Sequence, residues 1–347
     1  MHSIFGLVAS GDLGLRRYGD VFESASNSTF DSAMLKDLSS RMAPAAEEMR
    51  RLDQLITMAE VRYSGMLYGI VQLLLLWDQN VMVSLEKWRR SSGANVDGWI
   101  SALGELEAIA ALAGMSHAHP DWVFPEIYEH EEAPIMDAKE VGHPLIPPEK
   151  CIVNDIRLGP PGTFLFVTGS NMSGKSTLLR SIGVNTTLAL AGGPVFASKM
   201  RLPTASLLTS MRVTDSLEQG ISQYMAQLER LKMVVDGCEA GRNNESGPRA
   251  LFLLDEILQG TNSSERLVAV RRIVQRLIET GAIGAVTSHE LTVPEVPILS
   301  EAAQIVHFRE TATRDSDGVS LSFDYKLRQG LSTTTNALKL MELIGLD

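Results

Sequence analysis

Apolar residues recur at helical spacing along the first third of the chain. In MRRLDQLITMAEVRYSGM, Leu52, Leu55, Ile56 and Ala59 share one face. In WISALGELEAIAALAG the same spacing gathers Trp99, Leu103, Leu106 and Ile109, and the pattern stops at Gly114. Repeated helices are predicted from about residue 30 to 115, broken by the loop-like SSGANVDG. Between them lies YSGMLYGIVQLLLLW, Tyr63 to Trp77, without a single charge. It is shorter than the roughly 20 residues of a membrane helix, so a buried helix or helix–helix seam is expected there, and no membrane association.

From about residue 117 the texture changes to a Pro-rich, acidic stretch ending near Lys150, which reads as irregular or short-stranded linker. Strands and helices then alternate. Apolar FLFVT is followed by a helix from Lys175 to about Leu190, ALFLLDE by a helix from about Ser264 to Thr280, and AIGAVTS comes next. Such alternation predicts an α/β domain with a mostly parallel sheet. A hairpin follows, with Asp315 to Gly318 turning between AQIVHFRE and VSLSFDYKL, and NALKLMELIG reads as a closing helix. The expected division is a helical region over 1–117 and an α/β domain over 118–347.

A hydrophobic fraction of 44% and a charged fraction of 21% fit an ordinary globular protein. The net charge of −11 argues against a surface that traps nucleic acid on all sides, while leaving room for a local basic patch. Cys151 and Cys238 match no zinc or redox spacing, so a reducing, cytoplasmic setting is expected. The N-terminal apolar run precedes its Arg pair and lacks a clear cleavage site, so no signal peptide is expected.

Four segments carry chemistry. Gly169, Gly174, Lys175 and Ser176 complete a G-x-x-x-x-G-K-[ST] spacing after a strand and before a helix. Backbone N–H groups from Gly169 through Ser170, Asn171, Met172, Ser173 and Gly174 to Thr177 can wrap phosphates at a helix N-terminus, with Lys175 reaching the β- and γ-phosphates and Ser176 a magnesium ion. LFLLDE is a buried strand ending in Asp255, suited to the metal, and Glu256, suited to orienting the attacking water. AVTSHE is a third apolar strand, ending at His289, within reach of a γ-phosphate. Gly220-Ile221-Ser222 precedes an amphipathic helix whose face holds Met225, Leu228, Leu231 and Val235. On these residues alone, an anion site and a simple helix cap account for it equally well.

In this order and spelling the segments resemble the MutS family of mismatch-repair ATPases. TGSNMSGKSTLLR is similar to that family's phosphate loop, with Asn171–Met172 as its distinguishing pair. DEILQGTNSSER resembles its D-E-x-x-x-G-T segment, TSHE its histidine segment and DSLEQGISQYMAQL its signature segment. LGELEAIAALAG, GHPLIP and IVNDIRL look like the return helix of the lever and the approach to the ATPase domain, and FDYKLRQGLSTTTNALKLMELIGL like the closing hairpin and helix. The resemblance runs from about residue 100 to the end.

It implies an ABC-type, magnesium-dependent ATPase that works as a homodimer or beside a related subunit. Each ATP is held by one phosphate loop and closed over by the other subunit's Gly220 and Ser222. Gly260, Thr261 and Asn262 lie in the loop that crosses to the partner, Asn171 helps hold the phosphates, and His289 acts as a switch. In the family the helical arms clamp DNA, which here implies contact through regions outside or at the edge of this chain.

There are departures. The signature Ser-Thr-Phe-Met reads Ser222, Gln223, Tyr224, Met225, a family Glu is replaced by Gln227, and Cys151 stands where an aromatic often flanks the adenine. The mismatch-reading Phe-x-Glu occurs only as Phe124–Pro125–Glu126, in the linker, where chance explains it. The chain is thus expected to be either the C-terminal piece of a longer protein or a reduced homologue that does not read mismatches alone. Two other readings stay open. One is an ABC ATPase of a transporter or chromosome scaffold. The other is a low-turnover, nucleotide-gated clamp acting on branched or recombining DNA.

Overall fold

The computed structural model describes residues 18–129, 135–170, 173–211, 223–243, 248–258, 263–315 and 318–331. They form two compact units that divide between Gly114 and Met115.

The first unit is helical. Residues 18–27 are followed by α1 (Ala33–Glu60), α2 (Gly65–Leu75), α3 (Trp77–Ser91) and α4 (Val96–Ala118). On α1, Leu38, Met42, Ala45 and Met49 recur at spacings of three and four and bury against Phe22, Trp99, Ala102 and Leu103. Trp88 Nε1 donates to the Glu48 carbonyl at 3.0 Å, which fixes α3 beside α1.

Three expectations need correction here. Gly114 lies inside α4, which runs on to Ala118. A glycine costs a helix interior only about 1 kcal/mol, too little to end it. The loop SSGANVDG contracts to a single 3-10 turn at Gly93–Asn95, with Val96 already opening α4. The apolar window is not buried either: Ile70, Leu73, Leu74 and Leu75 are 58, 84, 73 and 55% exposed. A run that is apolar on every side carries no periodicity to mark one face for the core, and apolar character alone does not bury it. Among the described residues no helix is long and apolar enough to cross a membrane.

The second unit runs β1 (Glu126–Tyr128), β2 (Met136–Val141), β3 (Asn154–Leu158), β4 (Phe164–Thr168), α5 (Lys175–Leu190), β5 (Lys199–Pro203), β6 (Ala205–Ser210), α6 (Gln223–Asn243), β7 (Arg249–Asp255), α7 (Ser263–Glu279), β8 (Ile283–Thr287), α8 (Pro297–Ala302), β9 (Ala303–Asp315) and β10 (Gly318–Gln329). Six strands form one sheet in the order β10-β9-β4-β8-β7-β6. All its pairings are parallel except the closing β9–β10 hairpin. Asp315 pairs with Gly318 at the tip of that hairpin, whose strands extend past their expected ends. The expected closing helix lies outside the described residues.

The central strands β4 and β8 are buried at every position, and β7 at all but its ends, because both faces of the sheet are covered. Leu165, Val167, Leu251, Leu253 and Ala285 pack with α5 residues Leu178, Leu179 and Ile182. Phe164, Phe166, Phe252 and Leu254 pack with α6 and α7, through Leu231, Val234, Val274 and Leu277. The short-stranded linker supplies β1 and β2, which join β3 and β5 in a second sheet of order β1-β5-β2-β3. Met136, Ala138, Ile156 and Met200 from that sheet close over the α5 side of the core.

On α6 the buried stripe runs through Leu231, Val234, Val235 and Cys238, with Leu228 partly buried, whereas Met225 is 50% exposed and leaves the expected face. Burial pushes the Cys238 thiol up to about 12, so it stays protonated and unreactive.

Gly284 sets how closely β7 and β8 fit. A Cβ there would lie 2.2 Å from the Phe252 carbonyl oxygen and 2.6 Å from its ring. Gly284→Ala is expected to cost about 3 kcal/mol, read as a lower urea midpoint for the full chain. An unchanged midpoint would mean that the strand pair opens without penalty.

Candidate active site

β4 ends at Thr168, and the chain turns through Gly169, at φ 145°, toward the N-terminus of α5. Gly174 precedes α5 at φ 103°, a left-handed conformation that favours glycine. A Cβ at Gly174 would also stand 3.1 Å from the ring of Tyr325. Ser170 and Ser173 lie on the loop and Ser176 and Thr177 in the first turn of α5, while Asn171 and Met172 lie outside the described residues. Lys175 is the first residue of α5 and only 4% exposed. Its Nζ donates to the carbonyls of Gly169 at 3.1 Å and Ser170 at 2.8 Å, so the lysine curls back over its own loop.

The same ammonium lies 3.3 Å from Glu256 Oε1 and 3.4 Å from His289 Nε2. His289 Nε2 and Glu256 Oε1 are themselves 2.7 Å apart. Three residues that together span about a third of the chain thus meet at one point. β8 ends at Thr287, two residues short of His289, and the turn beyond it is tied back where the Ser288 N–H donates to the Val167 carbonyl.

Asp255 and Glu256 are placed by a residue the sequence reading passed over. Thr287, fully buried on the neighbouring strand, donates its hydroxyl to Asp255 Oδ1 at 2.7 Å. Thr287 Oγ1 in turn accepts the Glu256 N–H at 3.0 Å. Glu256 adopts φ 45°, rare for a residue with a side chain, and this bend turns its carboxylate toward Lys175. The parallel register that pairs Asp255 with Thr287 is what makes the contact, and no local motif encodes it.

A cavity of about 690 Å³ opens from this point. Its lining includes Lys175, Ser176, Asp255, Glu256, Ser173 and Gln227, and also Val141, His143, Ile146, Cys151 and Tyr325. Cys151 Sγ accepts the His143 N–H at 3.3 Å, and burial, reinforced by the Arg180 charge, holds the His143 imidazole below its ordinary value. Tyr325 also escaped the sequence reading. It sits in an irregularity of the β9–β10 pairing at φ 52°. Asn154 grips that bend from β3, donating to the Tyr325 carbonyl at 2.9 Å and accepting the Leu327 N–H at 2.8 Å. The signature residues Gly220 and Ser222 and the crossing loop Gly260, Thr261 and Asn262 lie outside the described residues.

Comparison with known proteins bears on the family. The family model described as MutS domain V matches residues 165–347. The DNA mismatch repair protein MutS of Aquifex pyrophilus is 26% identical over 304 residues, covering 86% of this chain and 32% of that protein. Endonuclease MutS2 of Thermomicrobium roseum is 29% identical over 206 residues, covering 59% of this chain and 24% of that protein. The chain therefore spans at most about a third of these relatives. The glycine loop, the parallel sheet behind it and the match across more than half of the chain lead to one conclusion: this chain belongs to the MutS family.

Proposed function

We propose that this chain carries one half of a shared, magnesium-dependent ATP-hydrolysing site that works in a dimer to move helical arms acting on DNA. The meeting of Lys175, Glu256 and His289 at the phosphate-loop end of a nucleotide-sized cavity carries the reading. Lys175 exchanges the Gly169 and Ser170 carbonyls for the β- and γ-phosphates. Glu256 accepts a hydrogen bond from the attacking water, and His289 stands beside it to respond to the γ-phosphate. Cys151 would flank the base, and Tyr325 packs against the phosphate loop at Gly174. Gly220 and Ser222 would close the site from the partner, with Gly260, Thr261 and Asn262 crossing between subunits.

Ser176 and Asp255 offer oxygen ligands in the same cavity, and no all-protein cluster of three or more His, Cys, Asp or Glu occurs among the described residues. That donor set fits magnesium, which takes one or two protein oxygens and fills its shell with phosphates and water. When bound, the ion neutralises charge on the transferring phosphoryl group.

The DNA part of the reading rests on the name of the Aquifex relative and on the helical first unit. With a net charge of −11, DNA contact is local or made by regions beyond this chain. Turnover of the full chain is expected to need magnesium and to rise with more than the first power of protein concentration. Strict proportionality to concentration, with a monomer in sedimentation, would overturn the shared site. Equal affinity for matched, mismatched and branched duplexes, with and without ATP, would remove mismatch reading from the proposal.

A further inference from the structure

Gln227, on the first turns of α6, is 9% exposed and lines the same cavity as Lys175, Ser176, Asp255 and Glu256. Its Oε1 is buried and has no hydrogen-bond partner among the described residues. A buried acceptor left unpaired destabilises the fold, so its presence calls for a ligand that completes it.

The chemistry narrows what that ligand is. Oε1 can only accept, and therefore needs a donor. Nucleotide phosphates at neutral pH offer acceptors alone, as do the carboxylates of Asp255 and Glu256. Ser173 Oγ, the other unpaired buried side-chain oxygen in this cavity, is a hydroxyl and can donate to a phosphate; Gln227 Oε1 cannot. Water brings the missing donors, and water polarised by a divalent cation donates most strongly. A magnesium ion held by few protein oxygens keeps several waters that require acceptors. Thr287 engages Asp255 Oδ1, which leaves that carboxylate's other oxygen for the metal itself and Gln227 Oε1 for a water on it.

We propose that Gln227 is a positioning residue that accepts a hydrogen bond from a water on the nucleotide's divalent cation, anchoring the metal without adding charge beside the phosphates. The inference rests on the magnesium–nucleotide reading of the cavity.

The probes are Mn2+, followed by electron paramagnetic resonance in the ternary complex of the full chain with ADP, and a fluorescent ADP titrated in EDTA. Gln227→Met is expected to weaken Mn2+ roughly tenfold while leaving metal-free ADP binding within about twofold of wild type. Gln227→Glu keeps an acceptor, so it restores Mn2+ binding and weakens metal-free ADP through its added charge. Unchanged Mn2+ affinity in Gln227→Met overturns the proposal. Equal losses with and without metal, or no recovery in Gln227→Glu, overturn it too, because they mark a merely structural glutamine. Failure of the wild-type chain to bind Mn2+ and ADP at all would instead remove the site reading, and this inference with it.

Discussion

Glu256→Gln is expected to retain ATP and to slow its hydrolysis by a hundredfold or more, in line with the usual contribution of a positioned general base, roughly 10² to 10⁴. The amide keeps the shape of the side chain and its strained backbone seat, but it no longer draws a proton from water. It also frees Lys175 from a carboxylate 3.3 Å away that competes with the phosphates, so ATP binding should hold or tighten. ATP that is bound but not hydrolysed keeps the two halves of a shared site closed, and the variant should accumulate as an ATP-bound dimer. Single-turnover hydrolysis and sedimentation with ATP check both parts. Unimpaired turnover would remove Glu256 from the mechanism.

Lys175→Met is expected to fail one step earlier, at nucleotide binding. Methionine keeps the apolar stem at a position only 4% exposed, and it deletes the ammonium. Charge-assisted hydrogen bonds are worth about 1.5–3 kcal/mol each, so losing those to two phosphates should weaken ATP on the order of a hundredfold or more. Titration with a fluorescent ATP measures it. Affinity within a few-fold of wild type would show that backbone N–H groups alone hold the phosphates. Together the two variants separate grip from chemistry: one holds ATP without cleaving it, the other does not hold it.

The parts of the fold legible in the sequence are those where local pattern and burial agree. FLFVT and the helix at Lys175–Leu190 could be read because a strand buried on both faces is apolar throughout and the glycine loop marks its end. β2 and β5 could not, since MDAKEV and KMRLP mix charged and apolar residues and gain a buried face only by packing over the α5 side of the core. The same distinction divides the site. Lys175, Asp255 and Glu256 stand in short spellings whose chemistry is local, and the structure brings them together with His289. Thr287 and Tyr325 act through partners distant in sequence, Asp255 across a parallel register and Asn154 across to another sheet. Gln227 stood out in the sequence only as a departure from the family's Glu; its unpaired oxygen is a property of packing. The exposed α2 helix is the reverse case, a strong local signal that the tertiary structure overrides.

The place of β4 in its sheet has a consequence for how the chain matures. Phe164 pairs with Gly284 on one side and with Ala303 on the other, both far later in the chain. During synthesis the loop from Gly169 to Lys175 therefore leaves the ribosome long before the two strands that flank its base exist. Closing such long loops is slow, and until it happens the apolar edges of β4 lie open. A nascent chain halted before β9 would have its phosphate-loop sequence complete and nothing on one side to hold it in shape. The capacity to grip a nucleotide is thus acquired only once β9 has been made, long after the motif itself has left the ribosome.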